Sequence, residues 1–223
     1  WGWEPSTIAD VKAYTPESKS IGGGQVLQSP YPYEKTRLVV REMADQLALE
    51  LVDRGLVTDQ LTLTVGYDIE NLTDPERRKH YRGEVKADRY GRAVPKHAHG
   101  TANLGEYTAS TRRIIAAALD LFDRIIDKDL LSRRLYLAAC RVTAEQDALG
   151  EETFQQLDLF TDYCAEQERR AREAEELERE KRVQRAVLDI KKRFGKNAIV
   201  KGMNFQEGAT AKDRNRTIGG HKA

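Results

Sequence analysis

Hydrophobic positions in the first part of the chain follow two different periods. From Val39 to Val52, pairs of apolar residues recur every four residues, which predicts a helix with one buried face that ends at Gly55. Residues 61–67 then alternate between apolar and polar side chains, the pattern of a half-buried strand. Residues 20–27 form a Gly-rich, strand-like run before this helix. The predicted order in this part of the chain is therefore strand, helix, strand.

The same order of patterns returns further along the chain. Residues 100–109 predict a weaker strand, and Ser110 or Thr111 can cap a second helix whose apolar residues continue to Ile126. A last strand is predicted for residues 133–142, because its apolar and polar residues again alternate. The predicted order is strand, helix, strand, strand, helix, strand.

This order predicts an α+β domain with the ferredoxin-like βαββαβ arrangement, in which a four-stranded sheet carries both helices on one face. The other face of the sheet is then open. Its predicted occupants are Thr62, Thr64, Arg134 and Tyr136 together with small residues. A face of this kind is polar enough to meet solvent or a polar ligand, but the fold alone does not identify that ligand.

Composition limits how much of the chain can belong to one globular domain. Of the 223 residues 39% are hydrophobic and 33% charged, so we expect extensions outside the core. Glu and Arg at three- and four-residue offsets favour a charged helix, and Lys191–Ala223 holds nine basic and two acidic residues. The predicted divisions are an entry segment at 1–19, the domain at 20–145 with an insertion at about 69–98, a linker at 146–163, a charged helix at 164–194 and a flexible basic tail at 195–223.

The remaining bulk properties exclude several classes of protein. The net charge of +1 gives no general signal for nucleic acid, and Cys140 and Cys164 form neither a disulfide framework nor a zinc spacing. No signal peptide or membrane-spanning apolar run is visible, so we expect a cytoplasmic protein without membrane contact. The chain begins at Trp1 and not at Met, which is consistent with a piece of a longer protein.

The sequence contains no convincing catalytic or metal site. It has no nucleophile elbow, phosphate-binding loop or Cys-x-x-Cys pair, and the acidic residues of the predicted domain lie mainly on helices and turns. His97 and His99 have the spacing of two metal ligands on a strand, but no third ligand is suggested. Residues 69–100 hold eight basic and five acidic residues, which indicates either phosphate contacts or an ordinary charged loop.

A short motif lies beyond the predicted domain. It consists of a glutamine, two leucines separated by an aspartate, and a phenylalanine, namely Gln156, Leu157, Asp158, Leu159 and Phe160. Apolar residues outside a domain have no core of their own, so the simplest physical role for Leu157, Leu159 and Phe160 is to enter a hydrophobic pocket on another protein.

Four segments occur in an order that resembles one protein family. They are Ile8–Lys12 with Tyr14, Ser20–Leu27, His99–Gly105 and Gln156–Phe160. The chain resembles the C-terminal part of a bacterial Y-family translesion DNA polymerase of the UmuC-like (ImpB/MucB/SamB) group. The resemblance implies that residues 1–19 leave a thumb domain, that residues 20–145 form the DNA-binding little finger, and that the pentapeptide binds the bacterial sliding clamp, the beta subunit.

The resemblance also implies roles for individual residues. Little fingers hold phosphates of primer-template DNA without reading bases, and Gly residues allow the backbone to approach a phosphate. The family's catalytic carboxylates, which bind magnesium, are absent, so we expect no cofactor here and magnesium in the preceding catalytic part. The residues carried over as DNA-binding are Ser20, Gly22, Gly23, Gln25, Thr101 and Asn103. Charge and placement add Lys96, His97, Arg112, Arg113 and Arg134.

Two other classes of function stay open at this level. One is an adaptor that binds partner proteins through the charged helix and the pentapeptide, although this helix lacks sustained apolar heptads. The other is a ferredoxin-like RNA-binding module, although residues 100–105 contain no aromatic residue for stacking.

Overall fold

A computed structural model describes residues 5–14, 19–88, 90–148, 163–218 and 221–222. The strands are β1 (Ile21–Tyr31), β2 (Leu56–Tyr67), β3 (Val85–Ala87), β4 (Ala93–Pro95), β5 (Ala98–Thr108), β6 (Ser132–Cys140), β7 (Thr143–Ala144), β8 (Thr217–Ile218) and β9 (His221–Lys222). The helices are α1 (Ile8–Ala13), α2 (Tyr33–Asp53), α3 (Glu70–Thr73), α4 (Pro75–His80), α5 (Thr111–Ile125), α6 (Glu145–Ala148), α7 (Tyr163–Phe194) and α8 (Ala211–Arg214), with a 3₁₀ turn at Gly202–Phe205.

The main sheet has the strand order β1-β6-β2-β5, and every neighbouring pair is antiparallel. β6 lies between β1 and β2, the two strands that α2 connects, while β2 lies between β5 and β6, which α5 connects. The short strand β7 pairs antiparallel with the first residues of β2. Each crossover is therefore split by one intervening strand, and the predicted α+β class and βαββαβ element order are confirmed.

The core lies between the sheet and the helices α2 and α5. Leu61 and Leu63 of β2 and Leu137 of β6 point toward the helices and are at most 2% exposed. Phe122 of α5 is fully buried, and its ring stacks on Tyr33 with centroids 5.5 Å apart. Burying each such side chain contributes about 1.5–3 kcal/mol, so this one-sided core fixes which sheet face stays open.

The insertion contains regular structure. Asp74 caps α4 through its side chain, and β3 and β4 form a hairpin. The Asn71 side chain is fully buried; it donates to the carbonyl oxygen of Leu131 and accepts from the N–H of Leu131. These two hydrogen bonds attach the insertion to the domain. Tyr67 and Tyr81 lie in a second small apolar cluster there. The predicted insertion at about 69–98 therefore holds short helices and strands, which have no period that the sequence would reveal.

The charged helix α7 is confirmed, and it ends before Gly195, whose φ of +100° reverses the chain. It also packs against the domain. Gln184 is 6% exposed and donates to the carbonyl oxygen of Ala109 and to Thr111 Oγ1. The Glu180 carboxylate accepts from Ser110 Oγ at 2.6 Å and from the backbone N–H of Arg112 at 2.9 Å. The N-terminus of α5 is thus capped by a side chain from α7.

The prediction of a flexible basic tail was wrong for the described residues 195–218. This C-terminal segment folds back onto α2, and its cations contact acids of that helix, as Lys201 does with Asp45 at 2.5 Å. Glu42 is 2% exposed and accepts hydrogen bonds from Asn204 and Thr210 and from the backbone N–H of Ala211. The sequence pattern missed this segment because polar pairing, and not apolar periodicity, holds it.

Within the part of the chain that the structure describes, no helix combines the length and apolarity needed to cross a lipid bilayer.

Candidate nucleic-acid interface

The open face of the sheet is polar and free of carboxylates among its described residues. Alternation and strand register place every second residue of each strand there, in rows that run across the sheet. The members are Gly22, Gly24 and Val26 of β1, Arg134, Tyr136, Ala138 and Cys140 of β6, Gln60, Thr62, Thr64 and Gly66 of β2, and His99, Thr101 and Asn103 of β5.

Hydrogen bonds orient several of these polar groups. Gln60 Nε2 donates to Asn103 Oδ1 at 2.9 Å, and Arg141 donates to the same oxygen at 3.2 Å. Thr64 Oγ1 and His99 Nδ1 lie 2.9 Å apart. Because the Asn103 oxygen already accepts two hydrogen bonds, its amide N–H groups are the part of this side chain that can bind an external acceptor. The arrangement presents donors, which suits an anionic ligand.

Arg134 is the exposed cation of this face. It has neither an acidic partner nor a hydrogen bond within the described ranges, and neither does Tyr136 two residues along the same strand. Since no carboxylate of the described ranges competes for the Arg134 guanidinium, a phosphate can bind it without displacing any of these groups. Arg134, Thr101 and Asn103, all predicted as DNA-binding, are brought together on one surface.

The residues predicted around β1 divide between the two faces. Ser20 precedes the strand, and Gly22 lies on the open face, where a Cβ would stand 2.6 Å from Ala138 Cβ. Gly23 and Gln25 are paired with buried residues of β6 and belong to the helix-covered face. Gln25 Oε1 accepts from Arg214 at 2.9 Å, and burial lowers the pKa of that guanidinium. Gly22 is thus required by packing, and Gln25 contacts the C-terminal segment.

Lys96 and His97 lie in the connection between β4 and β5, outside the rows of the sheet. Lys96 is exposed and pairs with Glu84 at 2.8 Å, and this hydrogen bond together with the charge of Glu84 raises the pKa of Lys96. His97 is exposed beside it. No group of three or more His, Cys, Asp or Glu side chains in the described ranges is placed to hold a metal ion.

Arg112 and Arg113 lie at the start of α5 and are occupied by acids. Arg112 pairs with Glu176 of α7 at 2.8 Å, which raises the pKa of Arg112, mainly through that hydrogen bond. Arg113 contacts both Glu106 and Glu173, and its hydrogen bond lowers the pKa of Glu173. A phosphate would have to displace these carboxylates, so the two residues are separate from the open face and less available than Arg134.

Two polar residues of this surface were not among the predicted site residues. Gln60 and Arg141 both contact Asn103, and Arg141 also pairs with Asp59 at 2.9 Å at the end of the sheet. Gln60 could have been found by extending the alternation of β2 by one step. Arg141 adopts a positive φ of 50°, which no periodic pattern indicates. The pentapeptide Gln156–Phe160 lies outside the described residues.

Comparison with known proteins identifies the domain. The fold defines an α+β module with a donor-rich open sheet, and residues 18–159 match the model of the impB/mucB/samB family C-terminal domain. This match covers well over half of the chain, which therefore belongs to that family and represents the C-terminal, little finger part of a Y-family polymerase. The resemblance inferred from sequence is confirmed.

Two further comparisons complete this result. No curated protein sequence matches the chain. A solved structure described as "Complex of beta-clamp processivity factor and little finger domain of PolIV" is similar with a TM-score of 0.35 and 12% identity, over 64% of this chain and 100% of that one. A similarity of this degree supports no inference about partners.

Proposed function

We propose that this chain is the DNA-binding and sliding-clamp-binding portion of a translesion DNA polymerase that acts in repair of damaged DNA. In this role residues 20–145 grip primer-template phosphates independently of sequence. The observation that carries the proposal is the open face, where Arg134 has no acidic partner among the described residues and the rows of the sheet around it hold no carboxylate. Cations and neutral donors without acids are what a phosphate backbone requires.

The open face has the character of a positioning surface. Apart from Arg134 and Tyr136, its longer polar side chains, namely Gln60, Asn103 and His99, are hydrogen-bonded to neighbours within the sheet. Reading a base edge needs long side chains that present paired donors and acceptors in a groove. Contacts made by Thr101, Asn103 and Arg134 therefore hold phosphates of primer-template DNA regardless of sequence, which permits a damaged template.

The second part of the proposal concerns the pentapeptide. Leu157, Leu159 and Phe160 are the apolar anchors that enter a pocket on the clamp, and Gln156 is the polar contact. This assignment is supported by the sequence motif and by membership of the family. Such a tether raises the local concentration of the enzyme on DNA without changing its active site. Magnesium and nucleotidyl transfer belong to the catalytic part that precedes these residues in the whole protein.

The adaptor alternative is less well supported. The acids of α7 at Glu173, Glu176 and Glu180 already contact Arg113, Arg112 and the start of α5 within the chain. A helix used in this way has fewer charged groups free for a partner protein.

The DNA-binding half is tested by anisotropy with labelled primer-template DNA. We expect weak binding whose affinity falls steeply as salt increases, because each phosphate contact releases counterions. Competitor duplexes of unrelated sequence should displace the probe equally well. Equal affinity at low and high salt would contradict phosphate contact.

The clamp-binding half is tested with a peptide that covers residues 152–164. The peptide should bind a purified bacterial sliding clamp, and Phe160→Ala should abolish most of the binding. A peptide with Asp158→Asn is a matched control, since it keeps the apolar anchors. Comparable binding by the Phe160→Ala and unsubstituted peptides would exclude this motif.

A further inference from the structure

Tyr136 is a large side chain at the centre of the open face. It lies on β6, an inner strand of the sheet, and is 48% exposed. Its row runs from Gly24 through Tyr136 and Thr64 to His99. An aromatic side chain here is neither part of the core on the other face nor hydrogen-bonded to any described residue.

The neighbours of Tyr136 leave its ring accessible. Gly24 carries no side chain, and a Cβ at that position would stand 3.5 Å from the Tyr136 ring atom Cδ2. On the other side, Thr64 is short and is hydrogen-bonded to His99 at 2.9 Å. The exposed Val26 follows Gly24 on the same face of β1 and extends the apolar surface, with an exposed fraction of 63%.

Charge on this face is placed next to the ring. Arg134 is two residues from Tyr136 on the same side of β6, a separation of about 6.6 Å along the strand. Binding of a phosphate by Arg134 would bring the attached nucleoside within the range of the Tyr136 ring. No described open-face residue carries a carboxylate that would repel the strand.

A surface that only holds duplex phosphates needs cations and hydrogen-bond donors, but it has no use for an exposed aromatic ring. In a duplex the faces of the bases are covered by their stacked neighbours. An unpaired base exposes its face, and stacking on an aromatic side chain beside a cationic groove is the usual way in which proteins bind single strands. The combination of Tyr136, Arg134 and a bare Gly24 therefore indicates a ligand with unpaired bases.

We infer that the open face binds single-stranded DNA, with one unpaired base stacked on Tyr136 and a neighbouring phosphate bound by Arg134. The inference rests on the proposed function, because primer-template DNA contains an unpaired template stretch beside its duplex. It names the part of that DNA which the centre of the sheet contacts.

The test uses the full chain and two fluorescein-labelled single strands, measured by anisotropy at one salt concentration. One strand has a mixed sequence, and the other has the same backbone with abasic positions at its centre. The unsubstituted protein should bind the normal strand about tenfold more tightly than the abasic strand, since stacking of one base contributes about that factor. Tyr136→Thr, which keeps a strand-forming residue, should remove this difference, whereas Tyr136→Phe should retain it.

Phe194→Ala is the matched control, because Phe194 is 66% exposed but lies at the end of α7. It should leave both affinities unchanged. Circular dichroism and thermal unfolding show whether each variant folds. If Tyr136→Thr does not fold, the affinities of the unsubstituted protein and of Tyr136→Phe for the two strands still test the inference. An equal affinity of the unsubstituted protein for normal and abasic strands overturns the inference.

The outcomes separate this inference from the proposed function. If primer-template DNA binds with steep salt dependence but normal and abasic strands do not differ, only the stacking role of Tyr136 fails. If no DNA binds at any salt concentration, both proposals fail. Tighter binding of an RNA strand of the same sequence would overturn the assignment to DNA and support an RNA-binding module.

Discussion

The two faces of the sheet differ in whether their cations are paired with acids. On the helix-covered side, Arg37 pairs with Asp123 at 2.9 Å, Arg112 with Glu176 at 2.8 Å, and Lys35 with Glu207 at 2.5 Å. On the open side, Arg134 has no acidic partner among the described residues, and no carboxylate lies in the rows around it. The covered side uses its charges to join α7 and the C-terminal segment to the domain.

This difference shows why overall charge gives a poor indication of ligand. The chain has a net charge of only +1, and its most basic stretch, beyond Lys191, contacts acids of α2. What determines availability to a phosphate is whether a carboxylate already occupies each cation.

The largest effect is expected at Glu42, on the covered side. Glu42→Ala removes the acceptor for Asn204, Thr210 and the Ala211 N–H, and leaves these donors without a partner in a buried place. The free energy of unfolding should fall by about 3 kcal/mol. Urea unfolding measures this loss, and limited proteolysis should show earlier cleavage of the C-terminal segment.

Glu50→Ala is the control for this change, because Glu50 lies on the same helix and its carboxylate pairs only with exposed Arg54 among the described residues. Its cost should stay below about 0.5 kcal/mol. Similar losses for the two variants would show that the C-terminal segment adds no stability through Glu42.

A second effect concerns two adjacent glycines of β1. In Gly22→Ala the new Cβ would lie 2.6 Å from Ala138 Cβ and 2.8 Å from the backbone oxygen of Leu137. We expect a loss of about 1–3 kcal/mol in the free energy of unfolding. Gly23→Ala meets nothing within 4 Å and should be neutral or stabilise slightly. Thermal unfolding of both variants measures the difference. A lower stability for Gly23→Ala than for Gly22→Ala would contradict the prediction.

The contrast between faces is tested directly by two arginines. Arg134→Ala should weaken primer-template binding and reduce the slope of log affinity against log salt by about one unit, the loss of one phosphate contact. Arg112→Ala should change the slope little, because Glu176 occupies that guanidinium. The reverse ranking in a salt titration would show that the start of α5, and not the open face, contacts DNA.

The smallest effect is a pH dependence at Asp123. Partial burial opposes ionisation, but hydrogen bonds from Arg37 and Tyr33 outweigh it and lower the pKa of Asp123 below its ordinary value. A carboxylate with a lowered folded pKa contributes stability above its unfolded pKa of about 3.9, which is lost as the pH falls through the folded value. Solvent screening keeps this contribution under about 1 kcal/mol.

Urea unfolding between pH 5 and about pH 3 measures this contribution. Asp123→Asn should flatten that part of the profile, whereas Asp120→Asn, at an exposed position of the same helix, should not. If Asp123→Asn left the pH profile unchanged, the pair of Arg37 and Asp123 would not contribute to stability in acid.

The sequence predicted the parts of the fold that apolar periodicity specifies. The four-residue spacing in α2 and the alternation in β2 and β6 correspond to buried faces, so the element order and the open face followed from them. The glycine run of β1 has no alternation of apolar and polar residues, so the sequence did not predict which of its residues face the helices. Gln25 lies on the covered face, where its strand partner is the buried Leu135.

The candidate site was predictable to the same extent. Thr101, Asn103 and Arg134 share a surface because strand alternation placed them there. Arg112 and Arg113 were expected to be available, but their acidic partners on α7 are about 60 residues away in sequence. Pairing at that separation depends on the packing of α7, which no local pattern encodes.

The contact between Glu145 and Lys181 has a consequence for how the chain responds to cleavage. These residues stand on either side of residues 149–162, and Gln184 and Glu180 hold α7 to the domain independently of that connection. A protease that cuts once between Ala148 and Tyr163 would therefore leave two polypeptides that co-purify as one particle. The domain and its long helix would separate only after denaturant breaks their shared polar contacts.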